Sequence, residues 1–196
     1  MIPQSLEEKK TRILAHEEMM ARRLARRIID KPVPPLWMVL IPIFFVFHAW
    51  KIKQYSNGLK NFTTNYLALR RQAIEAAVKR EQSGKKVDLD ALVESTISLP
   101  AEARPQYRDL LFLLISHYRS LLCVKGKNHT EMTQAHYRNK SNYLHFCVQL
   151  NKMENDLNLA LLQKIEGDPQ DIHHVVEKMK TCLSELRRKE ADEIFS

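Results

Sequence analysis

The chain has 196 residues, with 31 Lys/Arg against 23 Asp/Glu, a formal charge of +8 and only four glycines. That length suits one domain of ordinary size plus an anchor, and three widely spaced cysteines (Cys123, Cys147 and Cys182) exclude a closed disulfide framework and favour a reducing compartment. The positive charge is concentrated early, in residues 1–31 (eight Lys/Arg, five Asp/Glu) and 51–87 (nine against two), whereas 88–196 (fourteen against sixteen) offers no concentrated basic face, so no nucleic-acid partner is expected.

Residues 4–30 predict an amphipathic helix. At 100° per residue Leu6, Ile13, Leu14, Met20, Ala21, Leu24, Ala25 and Ile28 share one arc, with Lys9, Arg12, Arg22, Arg23, Arg26 and Arg27 opposite and Lys10 and Glu17 as misfits. A basic amphipathic helix beside an apolar segment predicts one lying in a membrane interface, with Arg22, Arg23, Arg26, Arg27, Lys51 and Lys53 on anionic headgroups. The alternative is a helix docked on the protein's own core. Glu7-Glu8 and Glu17-Glu18 read most simply as solvated.

Pro32, Pro34 and Pro35 end that helix. Residues 32–50 then carry no charge, and the densest part, Leu36 to Trp50, is expected to enter the bilayer through Leu36, Trp37, Pro42, Phe44, Phe45, Phe47 and Trp50. As a helix that stretch covers roughly 22 Å, short of a hydrocarbon core of roughly 30 Å. Pro42 and the basic residues on both sides favour a re-entrant segment with both flanks cytoplasmic; an N-in, C-out span is the rival. His48 lies close to Trp50, near the expected interface.

Beyond it Leu59, Phe62, Tyr66, Leu69, Ala73 and Ala76 step by three and four, a stripe suited to docking on another helix. Asp88 predicts the cap of a short helix carrying Leu89, Leu92, Val93 and Ile97. Pro100 and Pro105 mark a joint, and the run Leu110 to Ile115 reads as the central core helix, with Leu113 in the core. Tyr143, Cys147, Leu150, Leu157 and Leu161 recur on one face after Gly126, with a break expected near Asn139–Asn142. Asp168-Pro169 opens the last helix, which carries Ile172, Val176, Met179, Leu183 and Leu186. All four glycines, Gly58, Gly84, Gly126 and Gly167, read as joints.

The predicted fold is all-α: a basic interfacial helix (1–31), a membrane segment (32–50), a basic juxtamembrane helix (51–87) and a four- to five-helix bundle (88–196).

The chemistry-bearing residues give little. His145 with Cys147, His173 with His174, and Cys182 are the best metal candidates, but neither CxxC nor HxxxH spacing occurs, and His145 and Cys147 point about 200° apart on a helix. No CxxCH announces haem, with His48 and His117 as unannounced axial candidates, and there is no nucleophile elbow or phosphate loop. No cofactor, metal or catalytic residue is therefore expected. The functional expectation is a membrane-anchored helical adaptor holding a protein partner at the surface. The alternative is a subunit of a membrane-bound redox, metal or haem complex using His and Cys ligands; a third reading is a subunit of a larger membrane complex, with the Leu59–Ala76 stripe (Leu59, Phe62, Tyr66 and Leu69 foremost) as its docking face.

Overall fold

The computed structural model describes residues 5–31, 43–96, 99–162 and 169–196. Among these, seven α-helices are present: α1 (Leu6–Ile28), α2 (Ile43–Ser83), α3 (Leu89–Glu94), α4 (Arg104–Cys123), α5 (His129–Tyr137), α6 (Lys140–Leu162) and α7 (Pro169–Ile194). No strand occurs among the described residues, so the all-α class holds.

Local chemistry sets the helix ends. Ser5 accepts a bond from the Glu8 amide to open α1, and Asp88 accepts from the Ala91 amide at 3.0 Å to open α3, the cap its sequence announces. Pro105 sits in the first turn of α4, where its missing N–H is not needed. The predicted break falls at Arg138, whose φ of 67° ends α5, and the Asn139 side chain accepts from Asn142 to start α6. Gly84, at φ +68°, terminates α2, and a Cβ at Gly126 would meet the Met132 amide nitrogen at 2.6 Å. Gly58, in contrast, lies inside α2 and is no joint.

The five long helices form a closed ring in the order α1, α2, α4, α6, α7, each packing on the next and α7 returning to α1. The short α3 lies on α4, and α5 touches α1, α4, α6 and α7. Two apolar clusters fill the ring. The larger joins Ile13, Ile74, Ala77, Leu111, Leu114, Leu121, Phe146 and Leu150; the smaller joins Met20, Leu24 and Ile28 of α1 to Leu183 and Leu186 of α7, with Phe62 and Tyr66 alongside.

The ring runs across residue 88, where the sequence reading sets a boundary, since α1 and α2 are two of its five walls. The apolar arc of α1 faces protein rather than lipid: Ile13, Ala21 and Leu24 are completely buried. One of its cations caps α4, Lys9 Nζ donating to the Leu122 carbonyl at 2.7 Å, and Arg12 donates at 3.2 Å to Gly126 in the loop that follows. The Leu59–Ala76 stripe is likewise spent internally, with Leu69, Ala73 and Ala76 buried in the larger cluster. In the Leu110–Ile115 run, Leu110, Leu111, Leu114 and Ile115 are buried, but Phe112 is 58% exposed and Leu113 only half-buried. Periodicity explains this: six consecutive apolar residues exceed the width of one helical face.

The expected membrane segment falls mainly elsewhere. Leu36, Trp37 and Pro42 lie outside the described residues, as do Ile97, Gly167 and Asp168. For Phe44, Phe45, Phe47, His48, Trp50 and Lys51 the helical backbone of α2 is described. No helix among the described residues is long and apolar enough to cross a membrane.

The packing separates two neighbours on α4. Leu111→Ala should destabilise the fold by about 2–5 kcal/mol through the cavity it leaves, whereas Phe112→Ala should change stability by less than about 1 kcal/mol. Urea denaturation followed by circular dichroism measures both; equal losses would contradict this assignment of faces.

Candidate functional site

Between the two apolar clusters the ring encloses ions. Arg70 of α2 is 3% exposed, and its Nε donates to Glu17 Oε2 of α1 at 2.8 Å. Its Nη2 donates to Glu154 of α6 and, at 2.6 Å, to the Tyr66 hydroxyl, while the guanidinium stacks 3.7 Å above the Tyr66 ring. Arg187 of α7 places Nη1 2.8 Å from the second oxygen of Glu154 and also donates to Asn151. Tyr118 of α4 completes the chain, its hydroxyl donating to Glu17 Oε1 at 2.8 Å. Each wall of the ring thus contributes a member, and two arginines balance two glutamates.

The protonation states follow from this pairing. Burial alone would push the Glu154 carboxyl up, but Arg187 and Arg70 outweigh it and hold the group below its usual range. Burial pushes the Tyr66 and Tyr118 hydroxyls above theirs, so both stay protonated donors.

A second polar group adjoins the first. His16 lies one residue before Glu17 on α1, His129 opens α5, and Glu190 lies on α7. Their ligand atoms all fall within 4.8 Å of one another. The His16 and His129 rings stack at 3.5 Å with an interplanar angle of 4°. His16 Nε2 pairs with Glu190 Oε1 at 2.6 Å, and Tyr143 donates to the other oxygen at 3.0 Å. Burial would lower the His16 pKa, but Glu190 overrides it and raises the group, while His129 is driven well below its usual value by burial and by His16. A cavity of about 30 Å³ lies between the two groups, bordered by His16, Glu17, His129, Cys147, Arg187 and Glu190. That is room for about one water. The arrangement can hold a proton, a water or a small cation.

Of the expected metal candidates, His145 is exposed and bonds Gln149, while Cys147 is buried and its thiol pushed up to about 12, first by burial. They face apart. His174 is exposed, Cys182 half-buried beside the smaller cluster, and the His173 side chain is outside the description. His117 is buried, with Nδ1 2.8 Å from the Tyr137 hydroxyl. Sequence reasoning passed over His16, His129 and Glu190 because they come from three helices with no shared spacing. Glu17 did leave a signal: it is a misfit on the apolar arc of α1, and it is bonded inside the ring rather than solvated.

The expected headgroup cations occupy the outer face of α1. Arg22 pairs with Glu18 at 2.5 Å, Arg27 with Glu185 at 3.2 Å and Arg23 with Glu193 at 4.0 Å. Arg22 and Arg26 also line a groove of about 500 Å³ with Lys60 and Arg71 of α2 and Glu18 as the one acidic residue. Lys53 is exposed.

No family model, no curated protein and no solved structure matches this chain. The site therefore stands on its own chemistry.

Two outcomes follow. Arg70→Met should cost about 3–5 kcal/mol, because it leaves Glu17 without its cation and Glu154 with Arg187 alone, and urea denaturation would register it. His117, with its pKa driven down to about 3 chiefly by burial, stays neutral in the folded chain while the unfolded chain takes up a proton below about 6.5. Its contribution to stability is therefore lost as pH falls from about 6.5 towards 3, amounting to about 2 kcal/mol at pH 5. Replacing it with Phe should flatten the acid side of the stability profile by that amount.

Proposed function

We propose that this protein is a helical module held on one face of a membrane, inserted by residues 32–50 without crossing, with its bundle on the cytoplasmic side as a scaffold for a protein partner. The observation that carries this reading is the shared core of α1 and α2–α7, on either side of the uncharged run. Ile29 lies near Gly58, with 3.8 Å from its Cδ1 to a Cβ built there, and Lys178 of α7 binds both the Ile28 carbonyl and Asp30. Both ends of the run thus belong to one folded body. A span with its ends on opposite sides would tear α1 from the ring, which argues against the N-in, C-out rival.

Length agrees with this. The part of α2 within the uncharged run, eight residues from Ile43, extends about 12 Å, less than half the hydrocarbon thickness. The basic groove of Arg22, Arg26, Lys60 and Arg71 lies on the same α1–α2 seam, suiting it to anionic headgroups. Burial of several Leu, Ile and Phe side chains at about 1.5–3 kcal/mol each supplies the anchoring energy. The partner-holding role draws on Phe112 and Val148, large apolar side chains exposed on α4 and α6.

Alkaline carbonate should leave the full chain with the membrane, and Phe44→Lys with Phe45→Lys should release much of it. Single cysteines at Ser5 and Ser196, placed in a chain lacking its native cysteines, should react alike with an impermeant reagent. Opposite accessibility of the two ends would sink the one-face arrangement, and extraction by carbonate would sink the anchor.

A further inference from the structure

We propose that His16, His129 and Glu190 form a binding site for one divalent transition-metal ion of the zinc class, independent of the membrane reading. The donor set is two imidazoles and one carboxylate, which suits zinc, cobalt or iron(II) and is poorly matched to magnesium or calcium, with their preference for oxygen. The three ligand atoms already lie within 4.8 Å of one another. Tetrahedral coordination at zinc's usual bond lengths brings ligand atoms to about 3.3 Å, so the contraction required is within the reach of side-chain torsions.

Three features of the cluster suit a metal ion. Glu190 is 6% exposed and turns Oε1 towards His16 Nε2 at 2.6 Å, so a buried carboxylate oxygen and an imidazole nitrogen already meet beside His129. Tyr143 holds the other carboxylate oxygen at 3.0 Å, which fixes Oε1 in place as an outer-shell donor does in metal sites. The adjoining cavity of about 30 Å³ gives a fourth position to water.

Charge gives the same direction. The two arginines and two glutamates of the neighbouring network balance one another. Glu190 adds a buried negative charge beside them, offset by a protonated His16 or by a bound cation. Coordination turns one imidazole out of the parallel stack, since in-plane lone pairs of stacked rings do not converge on one point. His129 is the ring placed to turn, being the first residue of α5 behind the Asn128 cap.

The test uses the full chain purified without a histidine tag, freed of metal by chelator and titrated with zinc(II) or cobalt(II) alone. The expected result is one equivalent per chain with the visible bands of tetrahedral cobalt. Affinity should fall at least ten-fold in His129→Ala and in Glu190→Gln and stay unchanged in His145→Ala, which removes an exposed histidine. Bound zinc should raise the melting temperature of the wild type but not of His129→Ala. His129→Gln, with its helix content checked by circular dichroism, separates loss of a ligand from loss of the fold: a helical but metal-free variant supports the site. No stoichiometric metal in the wild type, or undiminished binding in folded His129→Gln, overturns it and leaves a protonated His16–Glu190 pair as the reading.

Discussion

A guanidinium cannot be buried without its counter-ions, and this single constraint runs through the whole ring. Arg70 is nearly inaccessible, so folding must deliver Glu17 from α1 and Glu154 from α6 to it. Glu154 in turn requires Arg187 from α7, and Glu17 is completed by Tyr118 from α4. A helix shifted by one residue would strand at least one ion, at a cost of several kcal/mol. The apolar clusters supply most of the driving force for collapse, but they are tolerant of sliding. The ionic chain between them is not, and it fixes the register of all five walls together. Along α1 the alternation is visible in order: Ile13 in one cluster, Glu17 in the network, Met20 in the other.

Much of the local structure is legible in the sequence because it is decided locally. The Asp88 cap, the break beyond Tyr137 and the first-turn Pro105 each depend on residues within four positions of one another. Which helix packs on which is decided by surfaces that meet across separations from about 35 to 158 residues, and no periodicity carries that information. The arc of α1 is the clear case: an apolar stripe looks the same whether α7 or a lipid tail will cover it. Gly58 failed as a joint marker because a helix packed on its neighbours absorbs one glycine at a penalty of about 1 kcal/mol. The candidate site was hidden for the same reason as the topology. Residues 16, 129 and 190 have no common spacing, and the one local hint nearby was an acidic residue on an otherwise apolar arc.

The ring also changes what the early basic residues mean. Part of the positive charge in residues 1–31 is absorbed internally, by Lys9 on the last turn of α4, by Arg12 on the loop after it and by the outer pairs with Glu185 and Glu193. Arg26, with Arg22, joins Lys60 and Arg71 of α2 along the α1–α2 seam. Because α2 is continuous from Ile43 to Ser83, the helix that emerges from the uncharged run is the same one that carries Arg70. The end of the uncharged run and the ionic network of the bundle are therefore carried on one continuous helix.

The pairing of α1 with α7 bears on the order in which the chain can fold as it is synthesised. Arg27 waits for Glu185, 158 residues later, and the Ile28 carbonyl for Lys178, 150 residues later. At ribosomal speeds of about 5–20 residues per second, that delay is on the order of ten to thirty seconds. Throughout it, Met20, Leu24 and Ile28 lack the Leu183 and Leu186 surface that finally covers them. The smaller cluster can therefore close only after α7 has been made, whereas the contacts of α1 with α2 and α4 are available much earlier.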